Sequence, residues 1–286
     1  MLKRLSRVLI TSLLVLSMTA CAGKKTVIGE DAHILYDGIR VIDINLTDEA
    51  YGIGVDKDQT ELREKINTFI KEYEKNGKFQ EICSHYAGGK PFPVYSAKKD
   101  SSADQLIVAS TGDFQPFDYN DGDTYYGIDK EYVSALATYL GKELVLENMN
   151  FDIMFMAVAQ HKADICIAGI TINEAREKYV DFSDPYYHAG QIIVTKDDNE
   201  LFKNVSSLEE IENILSDENN NIKVAVENMT IGEYYCKGNA EFGFKGFPVA
   251  TVAFANLEEC LEELEEGNVD IVIGDSAVLK YILENR

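Results

Sequence analysis

The chain of 286 residues is poor in positive charge: 27 Lys and Arg stand against 49 Asp and Glu, giving a formal net charge of -22. Neutralising phosphates requires clustered basic side chains, so no nucleic-acid partner is expected. The acidic excess implies a soluble, self-repelling exterior. Cysteine and histidine are also scarce, with 5 and 4 residues. Past residue 21 the cysteines are Cys83, Cys166, Cys236 and Cys260, and only His85 lies close to one of them. That spacing fits no zinc pattern, so neither a metal nor a secure disulfide is expected. Cys166 sits in an apolar run and reads as a small buried hydrophobe. Long apolar runs are missing too. Beyond the first 20 residues nothing is apolar enough to span a bilayer.

What is present begins at the N-terminus. Lys3, Arg4 and Arg7 form a basic region, Val8 to Met18 an apolar core too short to cross a membrane comfortably. Ser17-Met18-Thr19-Ala20 then places small residues before Cys21. This resembles a bacterial lipoprotein signal. The resemblance implies a signal over residues 1–20, lipidation at Cys21 and a tether over 21–36. The protein is then expected outside the cytoplasmic membrane and anchored to it by its acyl chains.

Further on, strand and helix patterns alternate. An edge strand is expected over Arg40–Leu46 and a short strand over Tyr51–Val55. Leu62, Ile66, Phe69, Ile70 and Tyr73 recur at helical spacing, and Gly77 closes that helix. A second amphipathic helix carries Phe79, Ile82 and Tyr86. Residues 90–104, with two prolines and a polar run, read as a linker. Strands follow at Leu106–Ala109, Glu143–Glu147, Ile165–Ile170, Gln191–Thr195, Lys223–Val226 and Asp270–Asp275, separated by helical segments. Such alternation predicts mostly parallel, doubly wound sheets, whose ligands bind at the carboxyl ends of the strands. Thr111–Phe117, Gly169–Arg176, Glu227–Ile231 and Asp275 all fall at strand ends, which points to one shared site.

Residues 164–190 are the focus. The strand breaks at Gly169 and Thr171, and a polar helix starts near Asn173, a good N-cap. Arg176 falls in the first turn, where the helix already carries partial positive charge. Two readings stay open from these residues alone. Arg176 is solvated or paired with Glu174 or Asp181, or it joins backbone N–H groups and Thr171 in an anion site.

The chain resembles the extracellular solute-binding proteins of family 3, which feed polar amino acids to ABC transporters. The matching pieces are residues 108–119, 126–132, 150–152, 167–176, 181–187 and 269–275, specific only in combination. The resemblance implies an α/β fold of the two-lobed, type II periplasmic-binding-protein kind, each lobe a mostly parallel sheet flanked by helices, joined by a two-segment hinge. One departure is large. The pieces matching 46–57 and the helices through Gly89 come last in the family and first here, as in a circular permutation; the alternative is a truncated tandem duplication whose halves pair between two molecules. Lobe 1 is then residues 50–89 and 105–187, and lobe 2 is residues 37–47 and 191–286. Residues 90–104 join the family's usual C- and N-termini.

For the site, the resemblance implies Arg176 as the carboxylate fork, with Thr171 and the Gly169 backbone, and Asp275 of the other lobe as the ammonium partner. Phe114 and Phe151 match aromatic positions that sandwich the ligand. Met229 and Thr230 match a loop that reaches its carboxylate, and Glu227 sits where the family varies with substrate. The expected partners are a free amino acid, an ABC permease and, through the lipid anchor, the membrane, with the protein a monomer. No cofactor and no catalytic residue is expected. An enzyme of the cyclohexadienyl dehydratase type and a ligand-sensing subunit are the alternatives.

Overall fold

The computed structural model describes residues 26–27 and 33–286. The expected signal segment and Cys21 lie outside the described residues. Among the described residues no helix is long and apolar enough to cross a membrane.

Two sheets organise the chain. The first runs in the order Glu143–Asn148, Gln105–Ser110, Ile165–Cys166, Gly54–Val55, Asp181–Phe182. Its first three strands are parallel, and the last two join antiparallel. Residues 54 to 182 therefore build one lobe without interruption. Helices Thr60–Lys75, Lys78–Tyr86 and Ile128–Leu140 pack against one another beside it, burying Ile66, Phe69, Phe79, Ile82 and Tyr132. The spacing of those residues is why the segments are helices: each puts one apolar stripe inward. Helix Phe151–Ala159 covers the sheet where it carries Met154 and Val158.

The second sheet has the order Thr26–Val27, His33–Tyr36, Ile39–Ile42, Gln191–Lys196, Ile271–Asp275, Lys223–Glu227, Ala250–Phe254. Only the last three strands are parallel to one another. The expectation of mostly parallel sheets thus describes the β-α-β centre of each lobe and not its flank. Strands arriving from the other lobe or from the N-terminus need no crossover helix and enter antiparallel. Helix Leu257–Glu266 starts as its capping spacing predicts, with the Asn256 side chain accepting from Glu259 N at 2.8 Å.

Three sequence expectations need correction. Residues 33–36, assigned to a tether, form a strand paired with Ile39–Ile42, so that strand is internal rather than an edge. The Ile165–Ile170 strand stops at Cys166, although the run stays buried to Ile170. Segment 90–104 is not a free linker. It runs along the first lobe, where Val94 bridges to Tyr125 and Ala97 N donates to Leu144 O.

Two segments cross between the lobes. They pair with each other as an antiparallel ribbon, Glu49–Tyr51 against Tyr187–Ala189. Tyr51 stacks on Tyr187 at 5.7 Å and meets Phe117 edge-on at 5.4 Å. Each such aromatic contact adds about 0.5–1.5 kcal/mol beyond area burial. The ribbon is therefore a packed part of one core, which continues from Tyr51 and Tyr186 into Ile192, Val194 and Leu279.

Candidate functional site

Between the sheets lies a cleft of about 810 Å³. Strand ends converge there, as they do in open α/β sheets. It is lined by Phe114, Phe151, Gly169, Thr171, Arg176, Glu227, Met229 and Thr230, eight of the nine ligand-site positions read from the sequence. It is also lined by Glu49, Tyr51, Asp113, Asn148, Asp152, Gln191 and Asn228, which that reading did not single out.

Arg176 sits on the cleft floor. The short helix Glu174–Glu177 is capped by Asn173, whose side-chain oxygen accepts from Arg176 N at 3.0 Å. The capped turn aims the guanidinium back across the loop, where Nη1 donates to Thr171 O at 2.7 Å. Its ring neighbours are Phe151 at 5.0 Å and, from the second lobe, Phe242 at 5.8 Å. Only 9% of Arg176 is exposed, and no carboxylate pairs with it among the described residues. The pairings with Glu174 or Asp181 left open by the sequence are absent; Asp181 pairs with Arg63 at 2.8 Å instead. Burial pulls the Arg176 pKa down to about 10, against the pull of Glu49 and other groups. The residue is a desolvated cation with most of its five N–H donors unused.

Gly169 lets the floor close up. Its φ of +55° suits glycine, and an added Cβ would stand 2.5 Å from the Phe114 ring. Its N–H donates to the buried Asp129 carboxylate at 2.7 Å, and the other oxygen of Asp129 accepts from Tyr186 OH at 2.8 Å. Asp129 thus ties the cleft loop to the segment entering the second crossing.

Thr111 lines the cleft with a buried hydroxyl that has no partner among the described residues. On the second lobe, Thr230 Oγ1 donates to Glu227 O at 2.8 Å and shapes the turn into helix Ile231–Lys237. Met229 takes a positive φ of 63°, and its N–H donates to Glu233. Glu227 is half-buried. Burial first, then Asp113, Glu258 and Asp275, push its carboxyl up to about 8.

Asp275 is the one expected position that is not among the residues lining the cleft. One oxygen accepts from Ala277 N at 2.9 Å and Val278 N at 3.2 Å, capping helix Ser276–Asn285. The other accepts from Tyr51 OH. Tyr51 itself lines the cleft, and its hydrogen bond to Asp275 ties the last helix to the crossing ribbon.

Glu49 is the residue the sequence reading missed most plainly. It comes from the crossing ribbon and is 5% exposed. Its carboxylate accepts from Thr47 Oγ1 at 2.6 Å, Gln191 Nε2 at 2.9 Å and Thr171 Oγ1 at 2.8 Å. A polar residue two before Tyr51 in a hinge segment carries no sequence signal of its own, because its burial is created by strands meeting from distant parts of the chain.

The lining holds four carboxylates, from Glu49, Asp113, Asp152 and Glu227, and one basic side chain, Arg176. That set suits a small molecule carrying one anionic group and an excess of positive charge. The lobes also touch outside the cleft, through Lys178 Nζ and Glu241 at 3.3 Å.

Comparison with known proteins gives the family. The profile of the bacterial extracellular solute-binding proteins, family 3, matches residues 106–242. The arginine-binding extracellular protein ArtP of Bacillus subtilis (strain 168) is 37% identical over 100 residues, covering 35% of this chain and 39% of that protein. The cyclohexadienyl dehydratase of Pseudomonas aeruginosa is 35% identical over 91 residues, covering 32% of this chain and 34% of that enzyme. The chain thus spans well under half of these two curated relatives. A solved structure, an ancestral arginine-binding protein bound to arginine, is 36% identical with a TM-score of 0.50, covering 63% of this chain and 74% of that one. With its two α/β lobes, its crossing ribbon and its cleft, this chain has the type II periplasmic-binding-protein fold and belongs to the bacterial extracellular solute-binding proteins of family 3.

Proposed function

We propose that the protein captures an amino acid with a cationic side chain in this cleft and delivers it to an ABC importer, without a chemical step. The observation that carries the reading is Arg176, a buried cation with unused donors in a cleft whose other ionisable lining includes four acidic side chains and no second Lys or Arg among the described residues. An isolated buried charge is unfavourable, and a ligand carboxylate relieves it with charge-assisted hydrogen bonds. Asp113, Asp152 and Glu227 then face the rest of the ligand and favour positive charge there. The arginine-binding names of a relative and a structural neighbour support the same class. Lipidation at Cys21, read from the sequence, keeps the protein beside its permease.

The dehydratase relative gives a second reading one specific support: Glu227, pushed up to about 8, holds a proton at neutral pH as a general acid would. Binding is preferred because the other relative and the solved structure named above are arginine-binding proteins. Calorimetric titration of the purified protein against the common amino acids tests the proposal. Arginine or lysine is expected to bind more tightly than glutamate or aspartate. Preference for an acidic amino acid overturns the class, and turnover of prephenate or arogenate overturns the absence of chemistry.

The chain order is proposed to be a circular permutation of the family. In support, the family profile begins at residue 106, at the Gln105–Ser110 strand, while the segment from Glu49 to Tyr86 precedes it and packs into the same lobe. Proteolytic cutting between residues 90 and 104 is expected to leave two fragments that stay associated and bind. Fragments that separate unfolded exclude it.

A further inference from the structure

Asp129 lies in the first turn of helix Ile128–Leu140 and is fully buried. Neither Asp129 nor Tyr186 is among the residues lining the cleft. Among the described residues no cation forms an ion pair with Asp129; Lys130, next in the chain, pairs with Asp118 at 2.8 Å. A buried carboxylate without a cation is costly, and apolar packing is often the more stable use of such a spot. What the carboxylate adds is acceptor positions on two sides.

Three segments meet there. The backbone N–H of Asp129 donates to Phe117 O at 2.9 Å, at the end of the turn in which Phe117 N donates to Phe114 O. One carboxylate oxygen accepts from Gly169 N at 2.7 Å, the other from Tyr186 OH at 2.8 Å. Phe114 and Gly169 line the cleft, and Tyr186 leads into the second crossing. Tyr186 is itself held in place. Its N–H donates to Tyr51 O of the first crossing at 2.9 Å, and its ring meets Tyr132 at 5.5 Å and Phe79 at 6.0 Å. The first lobe's wall of the cleft and the crossing ribbon thus share one buried pin.

Resting on the amino-acid reading given above, we infer that Asp129 is a positioning residue for ligand binding, coupling the Gly169 loop to the second crossing through Tyr186. The cleft wall and the start of the crossing then move as one body. A change at Tyr186, outside the cleft lining, is felt by the ligand through two hydrogen bonds on one carboxylate.

The test is a double-mutant cycle on arginine affinity, measured by calorimetry on the full protein, with a thermal melt of each variant. Asp129→Ala, which removes both bonds, is expected to weaken arginine about tenfold, and Tyr186→Phe, which removes one, about threefold. The double variant is expected to bind no worse than Asp129→Ala alone, because the two residues act through one connection. Asp129→Asn is expected to recover most of the Asp129→Ala loss, since its oxygen can accept from Gly169 N while its amide donates to Tyr186 Oη. A residue that only supports the fold lowers the melting temperature and leaves the affinity of the folded protein intact. Unchanged affinity in Asp129→Ala, or losses that multiply in the double variant, overturns the coupling. If Asp129→Ala does not fold, Tyr186→Phe carries the test alone, and unchanged affinity there overturns it. Failure of wild type to bind arginine at all overturns the function reading and this coupling with it, whereas wild-type binding with the wrong pattern in the variants overturns the coupling only.

Discussion

Two buried cations stand in the same lobe and are treated in opposite ways. Lys130 is fully buried, and its ammonium lies 2.8 Å from Asp118, 2.6 Å from Ser110 Oγ and 3.2 Å from both Thr111 O and Asn148 Oδ1. Every donor it has is met. The Arg176 guanidinium has, among the described residues, one hydrogen bond, two aromatic rings and no counter-ion. A satisfied buried charge is a piece of architecture, whereas an unsatisfied one is held by the fold for something that arrives later.

The contrast can be broken by experiment. Arg176→Ala is expected to weaken amino-acid binding by about 3 kcal/mol, on the order of 100-fold, with thermal stability unchanged or raised. Calorimetry and a melting curve read the two effects separately. Retained affinity removes Arg176 from the site. Lys130→Met is expected to do the reverse: it strands the Asp118 carboxylate and costs about 3–5 kcal/mol of stability in chemical denaturation. A loss of affinity without a loss of stability there erases the distinction between the two cations.

Smaller effects sharpen it. Glu227 keeps its proton below about 8, so affinity for a cationic amino acid is expected to rise as pH rises through that value, with a proton released on binding. Between the unfolded carboxyl pKa of about 4.3 and the folded value, the free native state holds a proton the unfolded chain has lost. The unliganded protein therefore loses stability across the same window as pH rises. Glu227→Gln is expected to flatten both profiles and weaken arginine roughly tenfold above pH 8. Phe242→Ala is expected to cost about 0.5–1 kcal/mol of affinity, a change of a few-fold, because it uncovers Arg176 on one side. A larger loss on Phe242→Ala than on Glu227→Gln means that closure over the arginine, and not recognition of the side chain, sets affinity.

Much of the cleft lining was legible in the sequence because it lies at strand ends. Gly169, Thr171, Arg176, Glu227 and Thr230 each follow an apolar run that stops abruptly. The helices were legible from the spacing of residues such as Ile66, Phe69 and Tyr73. What stayed hidden depends on contacts between distant segments. Glu49 is buried only where Thr171 and Gln191 meet it. The hydrogen bond between Asp275 and Tyr51 joins residues 224 apart in the chain and has no local signature. The strand Ala250–Phe254 escaped notice because it is a half-exposed sheet edge without a continuous apolar signature.

The first lobe is one unbroken stretch, from Gly54 to Phe182, set inside the second. A ribosome therefore finishes every strand of the first lobe before the second has more than its N-terminal strands. Ile39–Ile42 has to wait for Gln191–Lys196 to pair with it, and Gln191–Lys196 for Ile271–Asp275. Domains fold as units in the order they emerge. The half that carries Arg176 is thus complete while its partner still lacks most of its sheet, and the cleft comes into being only when the last strand is laid down.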